Sequence, residues 1–229
     1  MTRVPGSIHL KPQTDLAERV LLPGDPHRAL AVAQALLERP LMFNHHRGLW
    51  GYTGTAADGE PLTVQATGMG GPSAAIVVTE LAALGARRVV RIGTCGALDP
   101  GLALGELIAV DAAIPADGTS RALGAGERVA AYPAITASIE ADRRGTVVTT
   151  DLFYDGRDGI EDAWRDAGAI AVEMEAATVL RLGERLGLAA GCVLLVTDLL
   201  GPPRERMPAV GIEAAAERLG RAGLAALSP

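Results

Sequence analysis

Arg91-Ile92-Gly93-Thr94-Cys95-Gly96-Ala97 places a guanidinium, a hydroxyl and two glycines directly after the apolar pair Val89-Val90. These residue types suit an oxyanion: arginine offers a planar fork of donors, threonine adds a hydroxyl, and glycine lets backbone N–H groups approach a ligand. Taken alone, the stretch fits an ordinary strand-to-loop turn with a solvated arginine equally well. Arg28 follows the turn Pro23-Gly24-Asp25-Pro26, so two guanidiniums and a helix N-terminus can converge on a phosphate. A surface Arg28 paired with Asp25 is the bland alternative. Arg47, within Asn44-His45-His46-Arg47-Gly48, is a third candidate beside a hairpin, where it can equally be solvated.

Glu173-Met174-Glu175 puts two carboxylates at a strand-to-helix junction flanked by Ile170-Ala171-Val172. Buried carboxylates need donors. A vicinal diol such as that of ribose supplies two, with Met174 as an adaptable apolar neighbour. The alternative is that Glu173 caps the helix and Glu175 sits in its first turn, where the helix dipole favours an acid. Asp198 follows Thr197 at the end of the apolar run Cys192-Val193-Leu194-Leu195-Val196. Desolvation there can raise a carboxyl pKa towards neutrality and make a general acid, whereas a turn aspartate before Gly201 fits as well. Phe153 can stack on a flat ligand or pack in a core. His9, in an irregular N-terminal segment, reads by itself as a surface residue.

The elements that must position these residues alternate. A strand over 17–22 and a helix over 29–37 precede a hairpin that turns at Asp58-Gly59, and an apolar helix runs from about Ala74 to Leu84 with Pro72 at its start. Strands are expected at 89–92, 105–110, 146–150, 169–172 and 190–196. Helices are expected at 160–167, 175–186 and 212–226, with residues 115–145 as loop and weak helix. The pattern predicts one α/β domain over 1–229: a central mixed, largely parallel sheet flanked by helices, with ligands at the carboxyl ends of its strands.

Composition narrows the function. The 229 residues are 48% apolar but only 3% aromatic, which suits layers built from Ala, Val, Leu and Ile. A net charge of −6 argues against a general nucleic-acid or membrane-surface binder, so any anion is bound locally. Lys11 is the only lysine, which removes a Walker-type phosphate loop and an internal Schiff base. Cys95 and Cys192 have no partner at ligand spacing, so neither a metal site nor a disulfide framework is expected. The N-terminal residues have no apolar signal core, and no apolar run approaches the roughly 18 residues of a membrane span. A cytoplasmic protein is expected.

Leu22-Pro23-Gly24-Asp25-Pro26-His27-Arg28-Ala29, Gly68-Met69-Gly70-Gly71-Pro72-Ser73, Arg91 to Ala97, Asp151-Leu152-Phe153-Tyr154 and Val172-Glu173-Met174-Glu175-Ala176, in that order, resemble the nucleoside phosphorylase-I family. That family includes hexameric purine nucleoside phosphorylases, uridine phosphorylases and methylthioadenosine phosphorylases. The resemblance implies a phosphorylase/hydrolase-like fold and phosphorolysis of a ribonucleoside to free base and α-ribose 1-phosphate, with inorganic phosphate as co-substrate and no other cofactor. By the same resemblance Gly24, Arg28, Arg91 and Thr94 hold phosphate, and Arg47 is donated by a neighbouring subunit. Glu175 and Met174 hold ribose with Glu173 beside them, and His9 reaches the ribose 5′ end across a dimer interface. Cys95, Gly96, Phe153, Val172 and Thr197 surround the base, and Asp198 protonates N7 of a departing purine. A homo-oligomer, a trimer of dimers and at least a dimer, is implied.

In uridine phosphorylases of this family a glutamine and an arginine in the loop after the Phe-Tyr motif read the pyrimidine edge. Here that loop is Asp155-Gly156-Arg157-Asp158-Gly159, and the only glutamines are Gln13, Gln34 and Gln65. A purine is therefore expected, with uridine and methylthioadenosine phosphorolysis as alternatives. Arg204 and Arg206, soon after Pro203, come early for the arginine that purine enzymes place beyond the aspartate. Two other readings are a nucleosidase that uses water, which has no need of three converging arginines, and a non-catalytic nucleoside-binding protein. A dinucleotide-binding module is poorly supported, because Ser73 replaces the last glycine of Gly68-x-Gly70-x-x and no acid ends the next strand.

Overall fold

Val20-Leu21-Leu22 is buried on both faces, as a central parallel strand requires, and forms β1 (Arg19–Pro23). The computed structural model describes residues 7–201 and 203–228. Asp25 caps α1 (Pro26–Leu36) by accepting from His27 N at 2.9 Å, and Pro26 opens the helix where no N–H is needed. β2 (Leu37–Asn44), β3 (Gly51–Ala56) and β4 (Pro61–Gln65) form an antiparallel meander, and β4 returns parallel beside β1. α2 (Gly71–Leu84) leads to β5 (Arg88–Ala97), followed by β6 (Leu107–Pro115), α3 (Gly118–Ala122), β7 (Val129–Ala130) and α4 (Pro133–Ala137). The chain closes with β8 (Arg143–Thr149), α5 (Ile160–Asp166), β9 (Ala169–Glu173), α6 (Ala176–Leu186), β10 (Ala189–Leu199), β11 (Glu205–Arg206) and α7 (Ala209–Leu227).

All the strands join one mixed sheet. β5 pairs in parallel with β1 and β10, and β8 in parallel with β6 and β9, while the antiparallel pairs lie at the meander, the hairpins and the junctions β5–β9 and β6–β10. Because β10 bonds both β5 and β6, the strands β10, β6, β8, β9 and β5 close into a ring from which β1, β4, β3 and β2 extend. Helices cover both faces. α2 and α6 bury Val77, Leu81, Val179 and Leu182 on one side. α1 and α7 bury Val32, Leu36, Leu219 and Leu227 on the other. Gly223 lets α7 lie close on the sheet, since a Cβ there would stand 2.7 Å from Ile92 Cγ2.

Several elements differ from the sequence expectation. The stretch Gly93 to Ala97 is a continuation of β5 and not a turn, because β10 and β9 pair with it. Asp198 likewise lies inside β10, just after a bulge between Val196 and Asp198. Residues 37–44, not expected to form a strand, give β2, which bulges between Glu38 and Leu41 with Arg39 at φ +46°. Residues 115–145 contain α3, β7 and α4. Among the described residues no helix is long and apolar enough to cross a membrane.

Candidate active site

β1 stops at Pro23, level with Ile92 of β5, whereas β5 runs on to Ala97. The space above the end of β1 is where the candidate residues gather. Arg91, one position earlier on β5, is only 3% exposed and lies between Leu22 of β1 and Cys192 of β10. Its guanidinium folds over Gly93, where a Cβ would stand 2.6 Å from Nη2, so glycine makes room for it. Nε donates to Glu173 Oε2 at 2.9 Å, and Nη2 lies 2.5 Å from Glu175 Oε2.

Nη1 is different: it is buried and has no hydrogen-bond partner among the described residues. It faces Gly24, whose Cβ position would be 4.0 Å away. A buried, unpaired N–H of a charged group is costly, and an anion placed between Arg91 and Gly24 would satisfy it. Burial alone would lower the pKa of Arg91, but Glu175 and Glu173 outweigh it and hold the group charged.

Arg28, half-buried at the start of α1, reaches the same place. Burial lowers its pKa, Asp25 opposes that, and the positive charge of Arg91 pushes it down further. Two like charges that act on one another in this way suit a dianion as a shared partner. Asp25 is used mainly as the α1 cap. Thr94 lies half-buried a little further along β5.

Glu173 and Glu175 share the junction between β9 and α6, but differ in partners. Glu175 occupies the N-cap position by backbone, and Gly70 N donates to its Oε1 at 2.5 Å. The side chain of Glu173 caps the helix, accepting from Glu175 N at 2.8 Å and Ala176 N at 2.9 Å, and also from Thr149 Oγ1 at 2.5 Å. Burial pushes the Glu175 carboxyl upwards and the charge of Glu173 adds to it, against the pull of Arg91 and Arg28. Met174 is half-buried between them.

The base-side candidates lie along the ends of β5, β9 and β10. Gly96 pairs with Val172, and Leu200 packs over Gly96, where a Cβ would be 3.0 Å from its side chain. The Cys95 thiol points into the core, donating to Leu195 O at 3.6 Å, and burial raises its pKa. Thr197 is buried and its hydroxyl lies 2.8 Å from Asp198 Oδ2, while Arg206 Nε lies 3.5 Å from Asp198 Oδ1. Phe153 is 59% exposed and stacks edge-on with Tyr154 at 5.0 Å, so it is not a core residue.

His9 and Arg47 do not join this cluster within the chain. Glu80 of α2 accepts from the backbone N–H groups of Ile8, His9 and Leu10, and its Oε1 lies 2.7 Å from His9 Nδ1. His9 O in turn lies 3.0 Å from His46 Nδ1, next to Arg47. Arg47 is exposed in a short turn at φ +60°, and among the described residues no ion pair ties it to the site. Glu80, Thr149, Leu200 and Arg206 had no assigned role in the sequence reading. Only Arg206 left a signal, since a turn marked by Pro203 brings it back towards Asp198.

A mixed α/β sheet with two arginines and two glutamates gathered at the carboxyl ends of its central strands defines the class of protein. A family model described as the phosphorylase superfamily matches residues 18–228, and the chain belongs to that superfamily. The purine nucleoside phosphorylase DeoD-type of Geobacillus kaustophilus is 37% identical over 204 residues, 84% of this chain and 86% of that protein. The uridine phosphorylase of Thermococcus kodakarensis is 38% identical over 208 residues, 80% of this chain and 73% of that protein. The crystal structure of uridine phosphorylase from Vibrio fischeri with 6-hydroxy-1-naphthoic acid matches with a TM-score of 0.79 at 26% identity, over 93% of this chain and 89% of that one.

Proposed function

We propose that the protein cleaves purine ribonucleosides with inorganic phosphate, giving the free base and α-ribose 1-phosphate. The observation that carries this reading is Arg91 Nη1, buried without a partner opposite Gly24, with Arg28 charged nearby. Phosphate sits on Gly24, Arg28, Arg91 and Thr94, and Glu175 with Met174 receives the ribose hydroxyls. The C1′–N9 bond breaks as a phosphate oxygen bonds C1′ from the opposite face. The dianion stabilises the oxocarbenium-like centre, and Asp198 delivers a proton to N7 of the leaving base. Cys95 and Gly96, through their backbone, line the base with Phe153, Val172 and Thr197.

Purine rather than pyrimidine is supported by what the glutamines do. Gln65 is fully buried in β4 and donates to Leu49 O and Ala66 O, and Gln13 bonds His45. Arg157, in the loop after Tyr154, is tied to Asp155. Gln34 lies on the exposed face of α1, so no glutamine stands in the loop after Tyr154 to read a pyrimidine edge. His9 lies beside the turn of Arg47 and both serve the neighbouring subunit, so the active species is a dimer or a trimer of dimers; the salvage chemistry proposed belongs to the cytoplasm. Release of hypoxanthine from inosine, followed with and without phosphate, tests the reading: cleavage only with phosphate is expected, and equal cleavage in phosphate-free buffer would make the protein a nucleosidase.

A further inference from the structure

Glu173 and Glu175 look interchangeable in sequence, and their hydrogen-bond accounts separate them. Glu173 has a side chain with 0% exposure. Its Oε1 accepts from Thr149 Oγ1 and Ala176 N, and its Oε2 accepts from Arg91 Nε, Glu175 N and Ala176 N. A carboxylate offers about four lone-pair sites, so this one has none to spare. Glu175 has one partner on each oxygen, Gly70 N and Arg91 Nη2, and retains capacity for two further donors.

We propose that Glu173, supported by Thr149, is a positioning residue that aims Arg91 at phosphate and does not itself bind ribose; this rests on the phosphorolysis reading above. Thr149 Oγ1 accepts from Ala177 N at 2.9 Å, so its own proton is directed to Glu173 Oε1. The relay thus runs from the N-terminus of α6 through Thr149 and Glu173 to Arg91 Nε. A guanidinium is planar, so fixing Nε on Glu173 and Nη2 on Glu175 fixes the direction of Nη1 as well. That direction is towards Gly24. Glu173 also accepts from the Glu175 backbone N–H, a contact that the carbonyl oxygen of a glutamine can keep.

The test is calorimetric titration of the whole protein with inorganic phosphate, and separately with inosine, for the parent and for Thr149→Val, Thr149→Ser and Glu173→Gln. Thr149→Val is expected to weaken phosphate binding about 10-fold, and Glu173→Gln roughly 10- to 100-fold, with inosine affinity within about twofold of the parent. Thr149→Ser keeps the hydroxyl and restores phosphate binding. The preference for inosine over 2′-deoxyinosine stays unchanged in Glu173→Gln. Unchanged phosphate affinity in Thr149→Val, or a collapse of the ribose over 2′-deoxyribose preference in Glu173→Gln, would overturn the proposal. If Glu173→Gln does not fold, the Thr149 pair decides. A parent that binds no phosphate sinks the phosphorolysis reading instead, and is seen before any variant is compared.

Discussion

Arg206 lies directly across the β10–β11 hairpin from Asp198, its Nε 3.5 Å from Asp198 Oδ1. The other carboxylate oxygen is held by the hydroxyl of buried Thr197 at 2.8 Å. One oxygen is therefore fixed from inside the sheet, while the other meets a cation whose side chain is 67% exposed. An exposed ion pair of that length is weak and yields to a better partner. Under the proposed reaction, a purine edge arriving at Asp198 would compete with Arg206 and not with the core.

That asymmetry sets an order of effects. Asp198→Asn should lower kcat for inosine about 10²- to 10⁴-fold, since an amide holds the position but cannot supply the proton. Arg206→Ala should cost only about 10-fold and change stability by less than about 1 kcal/mol. Steady-state kinetics and thermal melts check both. Equal losses in the two variants would move the chemical role from the carboxylate to the pair.

Glu175 gives a pH dependence. Burial raises its pKa above the ordinary 4.5, and only the ionised form accepts two ribose hydroxyls. Nucleoside KM should therefore rise on the acid side, starting above the usual glutamate range. Glu175→Gln should bind nucleoside weakly at every pH and lose that acid limb. A parent KM that stays flat until the ordinary range is reached would remove Glu175 from ribose binding.

The charged candidates are easier to read in the sequence than the strands that carry them. Arg28, Arg91 and Glu175 stand out because charged side chains beside apolar runs are costly to bury without a partner, and Gly24 stands out by its turn. The extended path of Gly93 to Ala97 was hidden, because glycines written close together signal a turn, and only pairing with β10 and β9 straightens them. β2 lacks alternation and contains Pro40, so its strand character comes from β3 alone. The unequal duties of Glu173 and Glu175 depend on Thr149 and Gly70, each more than twenty residues away in sequence. Local patterns cannot report partners that the fold supplies.

Arg19 and Asp58 provide a stability test away from the site. The nearly buried guanidinium makes two hydrogen bonds to Asp58, at 2.6 and 2.9 Å, and closes the β3–β4 hairpin onto β1. Hydrogen bonding to Arg19 holds the Asp58 pKa down at about 2, against an ordinary 3.8. A depressed carboxyl stabilises the fold above its unfolded pKa and loses that contribution as pH falls through its folded one. Asp58→Ala should therefore cost about 1–3 kcal/mol near neutral pH, and the gap from the parent should close between about pH 4 and pH 2. Urea melts across that range check it; a gap that is constant with pH would assign the loss to the hairpin turn instead of the charge.

The last prediction concerns sharing between subunits. Glu80 pins the segment of His9, and His46 binds His9 O, so His9 lies beside the exposed turn of Arg47, while Arg91 Nη1 is buried. If the proposed sharing holds, a single subunit contributes Asp198 to its own site and Arg47 to its neighbour's. Arg47→Ala and Asp198→Asn subunits should each be inactive alone. In a mixed dimer one site combines the intact Asp198 of one subunit with the intact Arg47 of the other, and the second site carries both defects. After equal mixing, half of the random dimers are hybrids with one working site of two, so about a quarter of parental activity should return. No recovery after exchange has been verified by a mass-tagged subunit would place Arg47 outside its neighbour's site.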